Sequence, residues 1–138
     1  MPTAQHTMPV VLMIDDEPEM LDLTSQRLEH AGYRVLTATD GVEGLRLARA
    51  HHPHMILLDV IMPEPDGYQV LRLLKSEPAM EDIPVVMLTA NGTERDMHRS
   101  IDVGSVCHLV KPCEPHELLE EVSLAVERHQ MTHAHSNH

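Results

Sequence analysis

Three adjacent carboxylates follow an apolar run near the start of this chain. In "VLMIDDE" the acids are Asp15, Asp16 and Glu17. Like charges this close repel one another, so such a group favours a divalent cation that takes oxygen ligands. The same residues also fit a solvated turn that opens a helix, because acids interact well with a helix N-terminus. The motif alone leaves both interpretations open.

Three further polar residues end apolar runs later in the sequence. "MILLD" ends with Asp59, "VVMLT" with Thr89 and "VCHLVK" with Lys111. A carboxylate beside Mg²⁺ and a lysine can attack a phosphoryl group and form an aspartyl phosphate. The ammonium and a threonine hydroxyl then stabilise the phosphoryl oxygens. These residue types therefore indicate phosphoryl transfer to a carboxylate.

The residues can meet only if the runs that carry them are parallel strands of one sheet. Mostly unbroken apolar character predicts strands covered on both faces, over residues 10–14, 34–39, 55–59, 84–89 and 106–110. Helical patterns alternate with them, over residues 18–31, 41–52, 67–76, 94–103 and 116–129. This order predicts an α/β fold, a doubly wound three-layer α/β/α sandwich around a five-stranded parallel sheet. Ligands in such sheets gather at the carboxyl ends of the strands.

Periodic apolar residues predict the buried face of each helix. The predicted set is Leu21 and Leu28, then Val42, Leu45 and Ala48 or Arg49, then Val70, Leu73 and Leu74, and finally Leu118, Leu119, Val122, Ala125 and Val126. The chain has two Tyr and no Phe or Trp but ten Met. The core must therefore be aliphatic and rich in methionine, which packs softly.

Composition narrows the class of protein. The 138 residues predict one domain, with tails at 1–8 and 130–138 around a domain at 9–129. Ten Lys and Arg against 22 Asp and Glu give a net charge of −12, which argues against direct binding of nucleic acid. No apolar run approaches the roughly 20 residues that span a membrane, and no signal peptide is evident. We expect a cytoplasmic protein in which Cys107 and Cys113 are packing residues.

The ordered motifs resemble the receiver domain of two-component response regulators, the family of the single-domain chemotaxis regulator. The resemblance spans residues 10–129 and rests on "IDDEP" (14–18), "LLDVIMPEPDGYQVL" (57–71), "MLTA" (87–90) and "VGSVCHLVKPCEPHELL" (103–119). It implies a flavodoxin-like sheet of strand order 2-1-3-4-5.

The resemblance also implies a metal site. Asp59 is the implied phospho-acceptor. Asp16, Asp59 and the backbone carbonyl of Ile61 are the implied direct ligands of Mg²⁺, with Mn²⁺ as an alternative, and Asp15 acts largely through water. In the family the side chain at Ile61 governs water access. Glu17 is expected to be solvated or helix-capping rather than a metal ligand.

Further family positions concern the phosphoryl group and the switch. Thr89 is implied to bind a phosphoryl oxygen and to move on activation, while Lys111 pairs with another oxygen. The Lys111–Pro112 bond resembles the family's cis peptide. His108 stands where receivers usually carry Tyr or Phe, so it either acts as the switch residue, titrating near neutral pH, or sits half exposed without that role. Cys113 replaces a frequent Phe and implies smaller packing.

The function implied by the resemblance is a stand-alone switch phosphorylated by a sensor histidine kinase or a phosphotransfer protein. It phosphorylates and dephosphorylates itself and is not a turnover enzyme. Without a predicted output domain, the signal is expected to leave through an unidentified protein that contacts the 94–103 helix, the last strand and the last helix. Phosphorylation-promoted homodimers also occur in the family.

Three alternatives stay open. The chain can be a degenerate receiver that binds partners without phosphorylation, or a metal-dependent phosphatase or phosphotransferase that uses the same aspartyl chemistry. In the C-terminal segment, His129, His133, His135 and His138 have a spacing that can chelate a transition metal, although a disordered polar tail is the expectation from composition.

Overall fold

A parallel five-stranded sheet of order β2-β1-β3-β4-β5 forms the centre of the protein. The structure, a computed structural model, describes residues 8–89, 107–111 and 113–136. The strands are β1 (Val10–Ile14), β2 (Arg34–Ala38), β3 (Met55–Asp59), β4 (Val85–Thr89) and β5 (Cys107–Val110). The helices in the described part are α1 (Pro18–His30), α2 (Gly41–His51), α3 (Gly67–Ser76) and α4 (Pro115–Ser136). The predicted fold class and strand order are confirmed. The predicted helix over 94–103 lies outside the described residues, as do residues 1–7 of the N-terminal tail.

Apolar side chains cover both faces of the sheet. All five residues of β3 and all five of β4 are buried, which explains why these strands are apolar without alternation. On one face, a cluster contains Leu45 and Ala48 of α2 with Val70, Leu71 and Leu74 of α3. On the other face, a second cluster contains Leu21 and Leu28 of α1 with Leu118, Val122, Ala125 and Val126 of α4. Two cores on one sheet make the three layers.

Local signals start the helices where the sequence predicts. Pro18 occupies the first turn of α1, where its missing N–H costs nothing. Asp40 caps α2 by accepting a hydrogen bond from the Glu43 N–H at 2.8 Å. Asp66 and Gln69 form a reciprocal capping box at the start of α3. These caps fix where the loops after β2 and β3 turn into helices.

Two residues of the predicted buried set are in fact exposed. Val42 is 66% exposed. It lies about 100° around the helix from Gly41, where an added Cβ would lie 2.6 Å from the Val70 side chain and 2.7 Å from that of Pro65. Leu73 is 44% exposed. It lies about 100° around the helix from Leu74, on the side away from the buried face.

The last helix is longer than predicted. α4 continues to Ser136, so residues 130–136 do not form the disordered tail that composition suggested. No Gly or Pro follows His129 to stop the helix, and backbone hydrogen bonding carries it on. The side chains of His133, His135 and His138 lie outside the described part, so the chelation alternative stays a prediction. Within the described part, no helix combines the length and apolar character needed to cross a membrane.

Candidate phosphoryl and cation site

The carboxyl ends of the strands meet at one edge of the sheet. In the parallel registers Ile14 lies opposite Leu58, and Thr89 lies opposite Val110. Asp15 therefore follows β1 next to Asp59, the last residue of β3. Thr89 ends β4, and Lys111 follows β5. The structure thus brings together residues that are up to 96 positions apart in sequence.

Lys111 is the cation at the centre of this edge. Its Nζ donates a hydrogen bond to Asp15 Oδ2 at 3.1 Å. The same nitrogen lies 3.4 Å from Asp59 Oδ2 and 3.7 Å from Glu17 Oε1. The Lys111 side chain is 15% exposed, whereas those of Asp15 and Asp59 are almost fully buried. The family resemblance implies that Asp15 acts on the metal largely through water. In this structure Asp15 also binds the Lys111 ammonium directly.

Four carboxylates lie close together at this edge, and three of them line a pocket. One oxygen each from Asp15, Asp16, Glu17 and Asp59 lies within 4.8 Å of the other three. Asp16, Glu17, Asp59, Ile61 and Lys111 line a pocket of about 310 Å³. All the acidic groups are oxygen donors, which Mg²⁺ and other hard divalent cations prefer. The residues present fit a divalent cation.

Within the described residues, Lys111 is the cation that contacts the acidic groups of the pocket. Burial and the neighbouring Asp15 carboxylate raise the pKa of Asp59 to about 6, against the opposing effects of Lys111 and the Ile61 N–H. Burial disfavours the charged ammonium of Lys111, but Asp59 and Asp15 outweigh it and raise the pKa of Lys111. One ammonium therefore stays charged among several carboxylates. A divalent cation would remove much of the remaining repulsion.

The loop after β3 holds the candidate acceptor in place. Asp59 Oδ1 accepts a hydrogen bond from the Ile61 N–H at 3.3 Å, and the Gly67 N–H donates to the Val60 carbonyl at 3.1 Å. A Cβ at Gly67 would lie 2.4 Å from the Asp59 carbonyl oxygen. The loop also contains a cis Glu64–Pro65 bond. Only glycine permits this approach of α3 to Asp59.

The candidate switch residues lie on the neighbouring strands β4 and β5. Thr89 is buried, and its carbonyl accepts a hydrogen bond from the Lys111 N–H at 2.6 Å. His108 is half-buried on β5, opposite Met87. The switch role of His108 stays a prediction. The cis-peptide candidate Lys111–Pro112 involves Pro112, which lies outside the described residues.

Two other expectations concern Glu17 and the cysteines. Glu17 is the N-cap residue of α1, but its side chain makes no capping hydrogen bond, and it lies in the pocket. Its position directly after Asp15 and Asp16 is the sequence feature that indicates a place in the pocket. Cys113 is half-buried, and burial raises the pKa of its thiol, which fits a packing residue. The side chain of Cys107 lies outside the described part.

Known proteins are similar to this chain in sequence. Residues 11–123 match the family model of the response regulator receiver domain. The DNA-binding dual master transcriptional regulator RpaA of Synechocystis sp. is 41% identical over 121 residues, which are 88% of this chain and 50% of that protein. The alkaline phosphatase synthesis transcriptional regulatory protein PhoP of Bacillus subtilis is 35% identical over 121 residues, again 88% of this chain and 50% of that protein.

A solved structure extends the likeness to three dimensions. The chemotaxis protein CheY4 of Vibrio cholerae superposes with a TM-score of 0.82 at 31% identity, over 86% of this chain and 98% of that chain. By contrast, the chain spans about half the length of the two transcriptional regulators. The likeness therefore covers the domain that carries the pocket.

Proposed function

Because the chain belongs to the response regulator receiver family, we propose that it is a phosphorylation-controlled switch whose phospho-acceptor is Asp59. The observation that supports this most directly is the position of Asp59. Its Oδ2 lies 3.4 Å from Lys111 Nζ, within a group of four carboxylates, three of which line a pocket. A nucleophilic carboxylate, an adjacent ammonium and a cation-binding group are the components that phosphoryl transfer to an aspartate needs.

The proposed reaction transfers a phosphoryl group from a phosphohistidine or a small phosphodonor. An Asp59 carboxylate oxygen attacks phosphorus while the bond from phosphorus to the donor's leaving atom breaks with its electron pair. The Lys111 ammonium stabilises the phosphoryl oxygens, and Asp15 keeps that ammonium in position through the 3.1 Å contact. The Thr89 hydroxyl is the proposed donor to another phosphoryl oxygen.

Mg²⁺ is the proposed cofactor, with Mn²⁺ as an alternative. Asp16, Asp59 and the Ile61 carbonyl are its proposed direct ligands. When bound, the ion would offset the repulsion among the carboxylates and the incoming phosphoryl oxygens. The donor set of the pocket supports this assignment.

The proposed phosphodonor is a sensor histidine kinase or a phosphotransfer protein, and the proposed output is a contact with another protein. Phosphorylation adds charge and acceptor oxygens beside Thr89, which biases a two-state element. β5, with His108, and the neighbouring α4 form the described part of the proposed output surface. A phosphorylation-promoted homodimer is a second form that this output can take.

The stand-alone role, the cellular location, the absence of DNA binding and the absence of enzymatic turnover also stay predictions. We propose a stand-alone role and a cytoplasmic location for this chain, which spans about half the length of the matched transcriptional regulators. RpaA is named a DNA-binding regulator, but the net charge of −12 supports our proposal that this chain does not itself bind DNA. We also propose that it is not a turnover enzyme toward external phosphoesters.

Intact-mass spectrometry after incubation with Mg²⁺ and acetyl phosphate tests the proposed switch. We expect one phosphoryl adduct on the wild type, none on Asp59→Asn, and none without a divalent cation. Asp22→Asn is the matched control, since Asp22 is exposed on α1 outside the pocket, and it should be phosphorylated like the wild type.

A failure to form the adduct, repeated with a phosphorylated kinase or phosphotransfer protein as donor, would contradict the proposal. It would favour the degenerate receiver that binds partners without phosphorylation. Steady hydrolysis of external phosphoesters would instead favour the phosphatase alternative.

A further inference from the structure

The Glu17 carboxylate does not cap α1, although Glu17 is the N-cap residue of that helix. At an N-cap, a short polar side chain such as Asp often accepts a hydrogen bond from the first turn, but the longer Glu17 side chain makes no such bond. The Glu17 N–H donates instead to Asp15 Oδ1 at 2.9 Å, so Asp15 organises the turn. The Glu17 carboxylate is then directed to the pocket, where it lies 3.7 Å from Lys111.

The contacts of Glu17 differ from those of the acids around it. One of its oxygens lies within 4.8 Å of oxygens of Asp15, Asp16 and Asp59, yet the side chain is 62% exposed. Lys111 has closer partners in Asp15 and Asp59. The Glu17–Lys111 contact is therefore the longest of the three ion pairs that the ammonium makes with described residues, and the one most easily broken.

We propose that Glu17 strengthens divalent-cation binding in this pocket as a fourth carboxylate, an inference that rests on the Mg²⁺-dependent switch proposed above. A divalent ion attracts the carboxylate more strongly than the single charge of Lys111 does. Mg²⁺ keeps several waters, so an exposed carboxylate can act on it through a water ligand. Ca²⁺ takes six to eight oxygen ligands, so its binding depends more on an additional carboxylate.

Isothermal titration calorimetry with Mg²⁺ and with Ca²⁺ tests this role without phosphorylation chemistry. The matched control is Glu19→Gln, because Glu19 lies in the first turn of α1, is exposed and does not line the pocket. We expect Glu17→Gln to weaken Mg²⁺ binding about two- to tenfold and Ca²⁺ binding more. Glu19→Gln should change neither by more than roughly 1.5-fold, and Glu17→Asp, which keeps the charge, should retain most of the affinity.

The outcomes separate this inference from the proposed function. Equal affinities in Glu17→Gln and Glu19→Gln would overturn the role of Glu17. So would an equal loss in Glu17→Asp and Glu17→Gln, because the carboxylate would then not be the cause. If the wild type still forms the Mg²⁺-dependent adduct in either case, the proposed switch stands. If the wild type binds neither cation, this inference and the metal-dependent part of the proposed function both fall.

Discussion

At the residue scale, the described part of the pocket is a set of like charges in contact with Lys111. Asp15 and Asp59 are buried beside each other, and Lys111 lies within 3.4 Å of both. The protein alone therefore keeps acidic groups where ionisation is costly, as is common at functional sites. The buried Asp59 carboxylate therefore lowers the stability of the fold, but it is placed where it can bind a cation and accept a phosphoryl group.

This cost predicts that Asp59→Asn stabilises the protein in the absence of divalent cations. The pKa of Asp59 is raised from 3.8 to about 6 in the folded chain, so the folded state binds the proton more tightly than the unfolded state does. Wild-type stability is then lost as the pH rises from about 4 to about 6. At about pH 8 we expect the variant to be more stable by about 1–3 kcal/mol, with little difference at about pH 4.

Urea denaturation with chelator present, followed by circular dichroism, measures this difference. Asp22→Asn again serves as the control, since Asp22 is exposed on α1 and its substitution should be neutral. A variant less stable than the wild type at about pH 8 would show that the Lys111 contact outweighs the burial of Asp59.

At the element scale, the approach of α3 to the end of β3 depends on Gly67. An alanine there brings a Cβ to 2.4 Å from the Asp59 carbonyl oxygen and 2.7 Å from the Val60 Cα. Since these are backbone atoms, the helix or the loop must move. We expect Gly67→Ala to cost about 1–3 kcal/mol and to weaken Mg²⁺ binding, because the shift displaces Asp59.

Gly32→Ala is the matched control for this prediction. Gly32 has a φ of +100° and open space around its Cα, so alanine is strained there by backbone conformation alone, by about 1 kcal/mol. It should lower stability without changing the Mg²⁺ affinity. Calorimetric titration compares the two variants, and unchanged binding in Gly67→Ala would contradict the positioning role of the glycine.

Two adjacent leucines of α3 test which face of that helix is buried. Leu74 is 1% exposed and belongs to the core cluster, whereas Leu73 is 44% exposed. We expect Leu74→Ala to lower the free energy of unfolding by about 2–5 kcal/mol, and Leu73→Ala by no more than about 0.5 kcal/mol. Chemical denaturation measures both, and equal losses would show that the helix is rotated from the position described.

At the scale of the whole molecule, cation binding and folding are linked through the sheet. The four carboxylates come from the ends of β1 and β3, so the site exists only when the strands are paired. A ligand that binds the folded state alone stabilises it by mass action, by roughly 2.7 kcal/mol at about 100 times its Kd.

We therefore expect Mg²⁺ to raise the Tm of the wild type by several degrees and to raise that of Asp16→Asn much less. Asp22→Asn should respond like the wild type, because Asp22 lies outside the pocket. Differential scanning calorimetry over a series of Mg²⁺ concentrations at constant ionic strength checks this. An equal rise in all three proteins would indicate a general effect of salt on the acidic chain.

The sequence by itself determined the alternation of strands and helices and the residues at the strand ends. β1 at residues 10–14 and α3 at residues 67–76 have the predicted bounds, because apolar runs and caps such as Asp66 are local signals. The convergence of Asp15, Asp59 and Lys111 also followed, since parallel strands place their carboxyl ends on one edge.

Only the tertiary structure decided how the side chains share that edge. Leu73 and Leu74 are both apolar, and packing against the sheet selects Leu74. The sequence alone does not decide whether Glu17 faces solvent or the pocket. In the structure, the Glu17 N–H donates to Asp15, and the Glu17 carboxylate lies with the other acids of the pocket. The contacts of Lys111 with Asp15, Asp59 and Glu17 likewise depend on groups from three parts of the chain. Such choices depend on distances between distant segments, which local patterns do not contain.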